Sequence, residues 1–312
     1  MDVLKLPAIL YVCAGLTASG QRGYDPTDPD AVELVRLIDA AALPADLVQW
    51  FRSARTGQVA VNPYWPRGST ATCACLFLTA DGRLNQDALF GFLQSTGSTD
   101  PIGEADVRRW IRKLPAVLRS MAALPAMEPL WEAYVRIVDR RAPAWEDMLR
   151  RAARAADRFY AGCGPELVFV PALHLQYNAD FVRIGSRIYT IAASPQPETV
   201  LHEALHTAVA AHHDVMKAYA AQHGLNGLAD RARMMELGYL RDDSIDSVAH
   251  VLEECLVRAL SVVLSGGPEA RLREHAAYGC TSVPWLGQAA AGQPPTAATL
   301  GAWLRAALER RS

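Results

Sequence analysis

The chain has 312 residues, of which 51% are apolar, and its 33 acidic and 31 basic residues give a net charge of -2. This balance leaves no global field that would favour nucleic acid or an anionic membrane as a partner. No apolar run reaches the roughly 18 to 20 residues that span a bilayer, so we expect no integral membrane segment. The length fits one large domain or two of ordinary size and predicts no oligomeric state.

The six cysteines lie apart, with no C-x-x-C pair. Neither a thiolate metal cluster nor a dense disulfide framework is indicated, and buried free thiols favour a reducing compartment. The apolar segment from Leu6 to Leu16 is compatible with a signal-peptide core, but Asp2 offsets the single Lys5 before it. A first core helix is the simpler interpretation. We therefore expect a cytoplasmic protein, or an exported one if residues 1–20 are a signal peptide.

Residues 1–162 are predicted to form a mostly helical region of unknown role. One helix is expected to begin with Asp30 as its cap and to close at Pro44. The stretch from Asn62 to Thr70 is expected to be irregular because of its prolines and glycine. Three further helical segments are predicted between Glu104 and Gly162. They are broken at Pro125, Pro129 and Pro143.

Two features of this region have both a structural and a functional interpretation. The aromatic residues Tyr64 and Trp65 are expected to anchor their loop, the alternative being a substrate-facing wall. A run of arginines interleaved with acids is expected to be a solvated helical face rather than an anion-binding patch. These arginines are Arg140, Arg141, Arg150, Arg151, Arg154 and Arg158.

Residues 163–312 are predicted to form a catalytic domain that begins with strands. Glu166 to Ala172 is one β-type run, and Phe181 to Ala193 contains two more, with Gly185-Ser186 as a tight turn between them. A small, mainly antiparallel sheet should therefore precede the next helix. We predict an α+β fold in which helices dominate.

That next helix contains the sequence HEALH, from His202 to His206. Histidines four residues apart lie on one face of a helix, and Glu203 lies beside them. With eight histidines in the chain, chance produces H-E-x-x-H on the order of once in a hundred such sequences. The pattern predicts a zinc-binding pair, His202 and His206, with Glu203 as a general base.

A catalytic zinc site needs a third protein ligand. A long apolar helix is predicted from Ile245, and one polar stripe runs along it. Charged groups on such a buried helix need partners, and a zinc ion approached by Glu254 would satisfy the stripe. Glu253, about 100° away around the helix, is the weaker alternative. The stripe consists of His250, Glu254, Arg258 and Ser261.

A short sheet followed by an H-E-x-x-H helix resembles the zincin metallopeptidases over about the last 150 residues. A glutamate on a downstream helix resembles the third ligand of the gluzincins, and E-x-L-V-R-A from Glu254 to Ala259 is similar to the ligand helix of some bacterial members. The resemblance implies a zincin-like fold, zinc as cofactor, and hydrolysis of a peptide or protein substrate. It also implies that Arg187 to Ala193 is an edge strand that pairs with the substrate main chain.

The interval from His206 to His212 resembles that of another zincin family, the metzincins. Val209, however, stands where that family has a glycine, and a β-branched residue resists the positive φ that would turn the chain back. In a continuing helix His212 would lie about 9 Å of rise from His206. We therefore expect His212 and His213 to be helix-surface residues away from the metal.

Two questions remain open at the level of sequence. Hydrolysis requires a donor that stabilises the oxyanion, and no motif assigns it. The alternative to an enzyme is a non-catalytic interaction protein or a degenerate metal site that keeps the histidine pair. Candidates for the donor are His250, Arg258, Tyr239 and Tyr278.

Overall fold

Helices and one small sheet make up the chain. The computed structural model describes residues 2–20, 24–56, 67–95, 101–173, 180–193, 196–237 and 239–311. The helices are α1 (Pro7–Ala18), α2 (Pro29–Ala41), α3 (Ala45–Thr56), α4 (Arg67–Ala74), α5 (Gln86–Ser95), α6 (Pro101–Ile111), α7 (Leu114–Ala122), α8 (Met127–Tyr160), α9 (Pro197–Ala210), α10 (His213–His223), α11 (Arg231–Glu236), α12 (Ile245–Ser265), α13 (Glu269–Ala277), α14 (Val283–Gly292) and α15 (Leu300–Glu309). The strands are β1 (Asp2–Val3), β2 (Glu166–Pro171), β3 (Asp180–Ile184) and β4 (Arg187–Ala192). The prediction of a mainly helical α+β chain is confirmed.

The sheet has the strand order β1-β2-β4-β3. Strands β3 and β4 form the predicted antiparallel hairpin, in which Ile184 lies opposite Arg187 and Gly185 takes the positive φ of 60° that the two-residue turn requires. Strand β1 is parallel to β2, so the sheet is mixed and not purely antiparallel. The two residues of β1 are too few to show a strand pattern in the sequence.

Strand β4 lies between β2 and β3, and it is therefore an interior strand. The amide of Ala172, directly after β2, donates to the carbonyl of Ala192 at 2.9 Å, while β3 pairs along the other side. The expectation that Arg187 to Ala193 is an edge strand is wrong, because both rows of its backbone groups face other strands.

Contacts between Cα atoms divide the chain into two compact units. One comprises residues 2–146 and 168–195, and the other comprises residues 147–167 and 196–312. The hairpin thus belongs with the N-terminal helices, whereas α9 and α12 belong together in the second unit. The prediction that a helical region of unknown role ends at residue 162 and a catalytic domain follows it stays a prediction.

In the first unit, α1 is the expected core helix. Ile9 and Val12 are fully buried, and α1 packs against α2, α3, α4 and α7. Gly15 is needed at the contact with α3, because a Cβ there would lie 2.0 Å from the Phe51 ring. Close packing of α1 against α3 therefore depends on the absence of a side chain at Gly15.

Helix α2 is capped by Asp28 and not by Asp30, which corrects the prediction. Asp28 accepts a hydrogen bond from the amide of Asp30 and two from Arg141, at 3.0 and 2.6 Å. Asp30 is 6% exposed and forms ion pairs with Arg140 and Arg141. A buried carboxylate requires such counter-charges. Arg141 is thus part of a structural ion cluster, and Arg140 joins that cluster while its side chain stays 61% exposed. The rest of the arginine run is exposed, as the prediction of a solvated face expects: Arg150, Arg151, Arg154 and Arg158.

Helix α8 is 34 residues long and is not interrupted at Pro143, so the predicted break there is wrong. Proline in a helix interior removes one backbone hydrogen bond, and the apolar face of a long helix outweighs that cost. Pro129 falls in the first turn, where its missing amide hydrogen is not needed. Of the stretch predicted to be irregular, Arg67 to Thr70 begins α4, which corrects that part, and Tyr64 and Trp65 lie outside the described residues.

In the second unit, α12 packs against α9, α10, α13 and α14. Ser244 caps it by accepting from the amide of Ser247 at 3.2 Å, and Gly266 ends it in the left-handed conformation. The last helix, α15, buries one apolar stripe. Its buried residues include Leu300, Trp303, Leu304, Ala307 and Leu308. None of the described helices is both long and apolar enough to cross a bilayer.

We predict that Gly15→Ala lowers the free energy of unfolding by about 1–3 kcal/mol or more, because the new methyl group overlaps the Phe51 ring. Gly91→Ala is the matched control. It lies in α5 with nothing within 4 Å of an added Cβ, and alanine should stabilise that helix by about 0.5–1 kcal/mol. Equilibrium urea unfolding measures both. Equal stability of the two variants would contradict the packing argument.

Candidate metal centre

Helix α9 presents His202 and His206 on one face, one turn apart. Their Nε2 atoms are 3.1 Å from each other. Pro197 opens the helix, and the Tyr160 hydroxyl donates to the carbonyl of Ala204 at 2.6 Å, within the HEALH segment. The predicted pair therefore forms, on a helix that is fixed at its centre as well as at its start.

Helix α12 brings Glu254 to the same point. Its Oε1 lies 3.5 Å from Nε2 of His202, and its Oε2 lies 3.5 Å from Nε2 of His206. A tetrahedral zinc ion with bonds of about 2.0–2.1 Å requires its donor atoms to be about 3.3 Å apart. The two nitrogens, 3.1 Å apart, and the two Glu254 oxygens, each 3.5 Å from one of the rings, have separations close to that value.

The donor set also suits zinc chemically. Two imidazole nitrogens and a carboxylate form one of the common three-ligand sets of catalytic zinc. The side chain of Glu254 is 7% exposed, whereas those of His202 and His206 are 15% and 19% exposed. Solvent thus reaches the cluster past the two rings.

Electrostatics at the cluster favour a cation. Burial lowers the pKa of His202 to about 3, which leaves that ring neutral with a lone pair to donate. Burial also acts to lower the pKa of His206, but a hydrogen bond to Glu253 and the charges of Glu254 and Glu203 outweigh it and raise the pKa to about 9. The same carboxylates that favour a proton on His206 favour a metal ion beside it.

Glu253, the weaker alternative for the third ligand, occupies a different place. Its Oε1 is 3.0 Å from Nδ1 of His206, on the opposite side of the ring from the metal-facing nitrogen. Of the two consecutive glutamates, Glu254 belongs to the cluster of three donors whose atoms lie within 4.8 Å of one another.

Three members of the predicted polar stripe on α12, Glu254, Arg258 and Ser261, are joined in a network around Arg258. Its Nη2 donates to Glu254 Oε1 at 2.6 Å and to the Tyr239 hydroxyl at 2.9 Å. Burial alone would raise the pKa of Glu254, but the guanidinium, followed by the two cluster histidines, holds it well below its usual range. Arg258 therefore keeps the carboxylate ionised. The stripe ends at Ser261, whose hydroxyl donates to the carbonyl of Arg258 at 3.0 Å.

His275 on α13 is a member of this network that the sequence does not indicate. Its Nδ1 lies 3.3 Å from Arg258 Nη1, and burial followed by the charge of Arg258 lowers its pKa to about 4. The neutral ring accepts the guanidinium hydrogen bond. No spacing links His275 to HEALH, so only the packing of α13 against α12 reveals it.

The four candidate oxyanion donors lie in different places. Arg258 donates to Glu254 and to the hydroxyl of Tyr239, so Tyr239 is linked to the carboxylate through the guanidinium. The ring of Tyr278 is 38% exposed and its centroid lies 5.9 Å from Arg258 Cζ. His250 precedes Glu254 by one turn, and burial lowers its pKa. Arg258 and Tyr239 therefore support the carboxylate, and the assignment of the donor stays open.

His212 lies outside the cluster, as expected, but for another reason. Helix α9 ends at Ala210, and His212 is the N-cap residue directly before α10. Its ring packs against Gly301, where an added Cβ would come within 2.8 Å of it. His213 contacts a neighbouring helix, because its Nδ1 is 3.6 Å from Glu253 Oε2 on α12.

Comparisons with protein-family models, curated proteins and solved structures find no match to this chain. A function for the chain is therefore inferred from its own residues and their geometry.

We predict one tightly bound zinc ion per chain. Glu254→Ala and His202→Ala should each weaken zinc binding by more than about 100-fold. Loss of a residue that contacts a ligand, but not the metal, weakens binding by about 10–100-fold, and loss of a ligand should exceed that. His212→Ala is the control and should bind zinc as the wild type does. Metal-replete purification, dialysis and elemental analysis give the stoichiometry. Unchanged zinc content in Glu254→Ala would move the third ligand to Glu253 or His212.

Proposed function

We propose that this protein is a zinc-dependent hydrolase, and that peptide bonds are its substrate. The observation that carries the proposal is the convergence of His202, His206 and Glu254 from two helices at separations suited to one metal ion. A structural zinc site is closed by four protein ligands, whereas catalytic sites keep a position for water. Among the residues that the structure describes, the cluster has three members, which favours the catalytic kind.

The three cluster residues would hold the metal through two imidazole nitrogens and a carboxylate. A bound zinc ion lowers the pKa of water toward neutrality and polarises a carbonyl group. Arg258 keeps Glu254 ionised for this purpose, because its guanidinium donates to Oε1.

Glu203 supplies the proton chemistry. It lies next to His202 on α9, is 8% exposed, and its charge acts on His206. Its carboxylate accepts a proton from the attacking water as the new C–O bond forms. It then delivers that proton to the leaving amine as the C–N bond breaks, so that one group serves both half-reactions.

The choice of a peptide bond rests on the resemblance of HEALH and of Glu254 to Ala259 to the gluzincins. Pairing of substrate with β4 is not part of the proposal, because that strand is interior to its sheet. A small amide, or one particular protein, fits the same chemistry. A mixed peptide library separates these substrates from a general peptidase, since only the latter cleaves many members.

We predict that Glu203→Gln retains zinc but loses hydrolysis by about 10²–10⁴-fold, the usual contribution of a general base. Glu269→Gln is the matched control, because Glu269 is exposed and forms an ion pair with the equally exposed Arg273. Cleavage of the library is followed by mass spectrometry, and zinc content is measured on the same samples. Equal activity of Glu203→Gln and wild type would refute Glu203 as the base. Bound zinc with no hydrolysis by the wild type would indicate a non-catalytic metal site.

A further inference from the structure

We propose that Glu253 and His213 form an outer layer of the metal site, in which Glu253 orients the ring of His206 and His213 orients Glu253. The inference rests on the proposed zinc site and adds two positioning residues to it. Neither residue is a ligand, and neither is part of H-E-x-x-H.

His206 lies between two consecutive glutamates of α12. Glu253 Oε1 is 3.0 Å from its Nδ1, and Glu254 Oε2 is 3.5 Å from its Nε2. Successive side chains of a helix point about 100° apart, so one turn of α12 reaches both nitrogens of one ring. A hydrogen on Nδ1 that is donated to Glu253 leaves the lone pair of Nε2 for the metal. Glu253 thus selects the tautomer that binding requires.

His213 holds the other oxygen of Glu253. Its Nδ1 lies 3.6 Å from Glu253 Oε2, and its Nε2 lies 4.0 Å from Asp246 Oδ1. Asp246 in turn is 2.6 Å from Lys217 Nζ. Side-chain exposure rises along this series, from 12% at Glu253 to 33% at His213 and 72% at Asp246. Helix α10, which contributes no ligand, is therefore connected to a ligand through Glu253.

The two contacts differ in strength. The 3.0 Å contact between His206 and Glu253 is a hydrogen bond, and it fixes the rotation of the imidazole ring. The 3.6 Å contact from His213 is longer than a good hydrogen bond and is the weaker of the two. Loss of Glu253 should therefore affect the site more than loss of His213.

The test measures metal affinity and coordination rather than activity. Zinc affinity is determined by competition with a chromogenic chelator, and the visible absorption of the cobalt(II)-substituted protein reports ligand geometry. Glu253→Ala should bind zinc about 10–100-fold more weakly than the wild type, with an altered cobalt spectrum. The zinc affinity of Glu253→Gln should lie between those of the wild type and Glu253→Ala, because the amide oxygen of glutamine still accepts the Nδ1 hydrogen. His213→Ala should show a smaller loss than Glu253→Ala.

Glu269→Gln, at an exposed carboxylate outside the series, is the matched control, and it should keep wild-type affinity and spectrum. Thermal unfolding of the metal-free variants checks that each is folded. If Glu253→Ala does not fold, Glu253→Gln and His213→Ala decide, and wild-type affinity and spectrum in both would overturn the inference.

The outcomes separate this inference from the function on which it depends. Absence of zinc binding in the wild type would overturn both. Zinc binding by the wild type that is lost in Glu254→Ala, but unchanged in affinity and spectrum in Glu253→Ala, would overturn the positioning role alone. Complete loss in Glu253→Ala with full retention in Glu254→Ala would make Glu253 a ligand and would also overturn it.

Discussion

The packing of α9 against α12 buries ionisable groups on the facing sides of both helices, and the second unit depends on how those charges are compensated. Glu254, at 5% exposure, would destabilise the fold if it had no partner, since an uncompensated buried charge costs several kcal/mol. Arg258 compensates it on one side and the two histidines on the other. The same contacts that allow α12 to be buried therefore assemble the cluster.

The acidic groups that act on His206 support a cation at the centre of the cluster. Glu203, Glu253 and Glu254 all act on His206, whereas Arg258 is the guanidinium that contacts Glu254. The three carboxylates thus outnumber the guanidinium at the cluster. A proton on His206 offsets one charge, as its raised pKa indicates, and a divalent metal ion would offset two. The proposed zinc ion is thus favoured by the electrostatics as well as by the spacing of the donors.

The sequence predicts the parts of the fold that local chemistry determines. The hairpin around Gly185, the core helix α1 and the apolar stripe of α15 follow from turn residues and periodicity within a few residues. The errors arise where a distant partner decides. Strand β1 exists because Val168 and Phe169 lie beside it, and α8 passes Pro143 because its length gives it enough packed surface. The interior position of β4 likewise depends on β2.

The candidate site follows the same division. His202, His206 and Glu254 could be identified because H-E-x-x-H fixes two of them by helical spacing, and a polar stripe on an apolar helix indicates the third. Glu253 and His213 could not, because the face that Glu253 occupies is apolar in the sequence at Ala249, Leu256 and Leu260. Its role depends on how α9 and α10 approach α12, which places His206 and His213 within reach of its two oxygens. A candidate ligand can therefore be inferred from one helix, whereas the residues proposed to orient it come together only when three helices pack against one another.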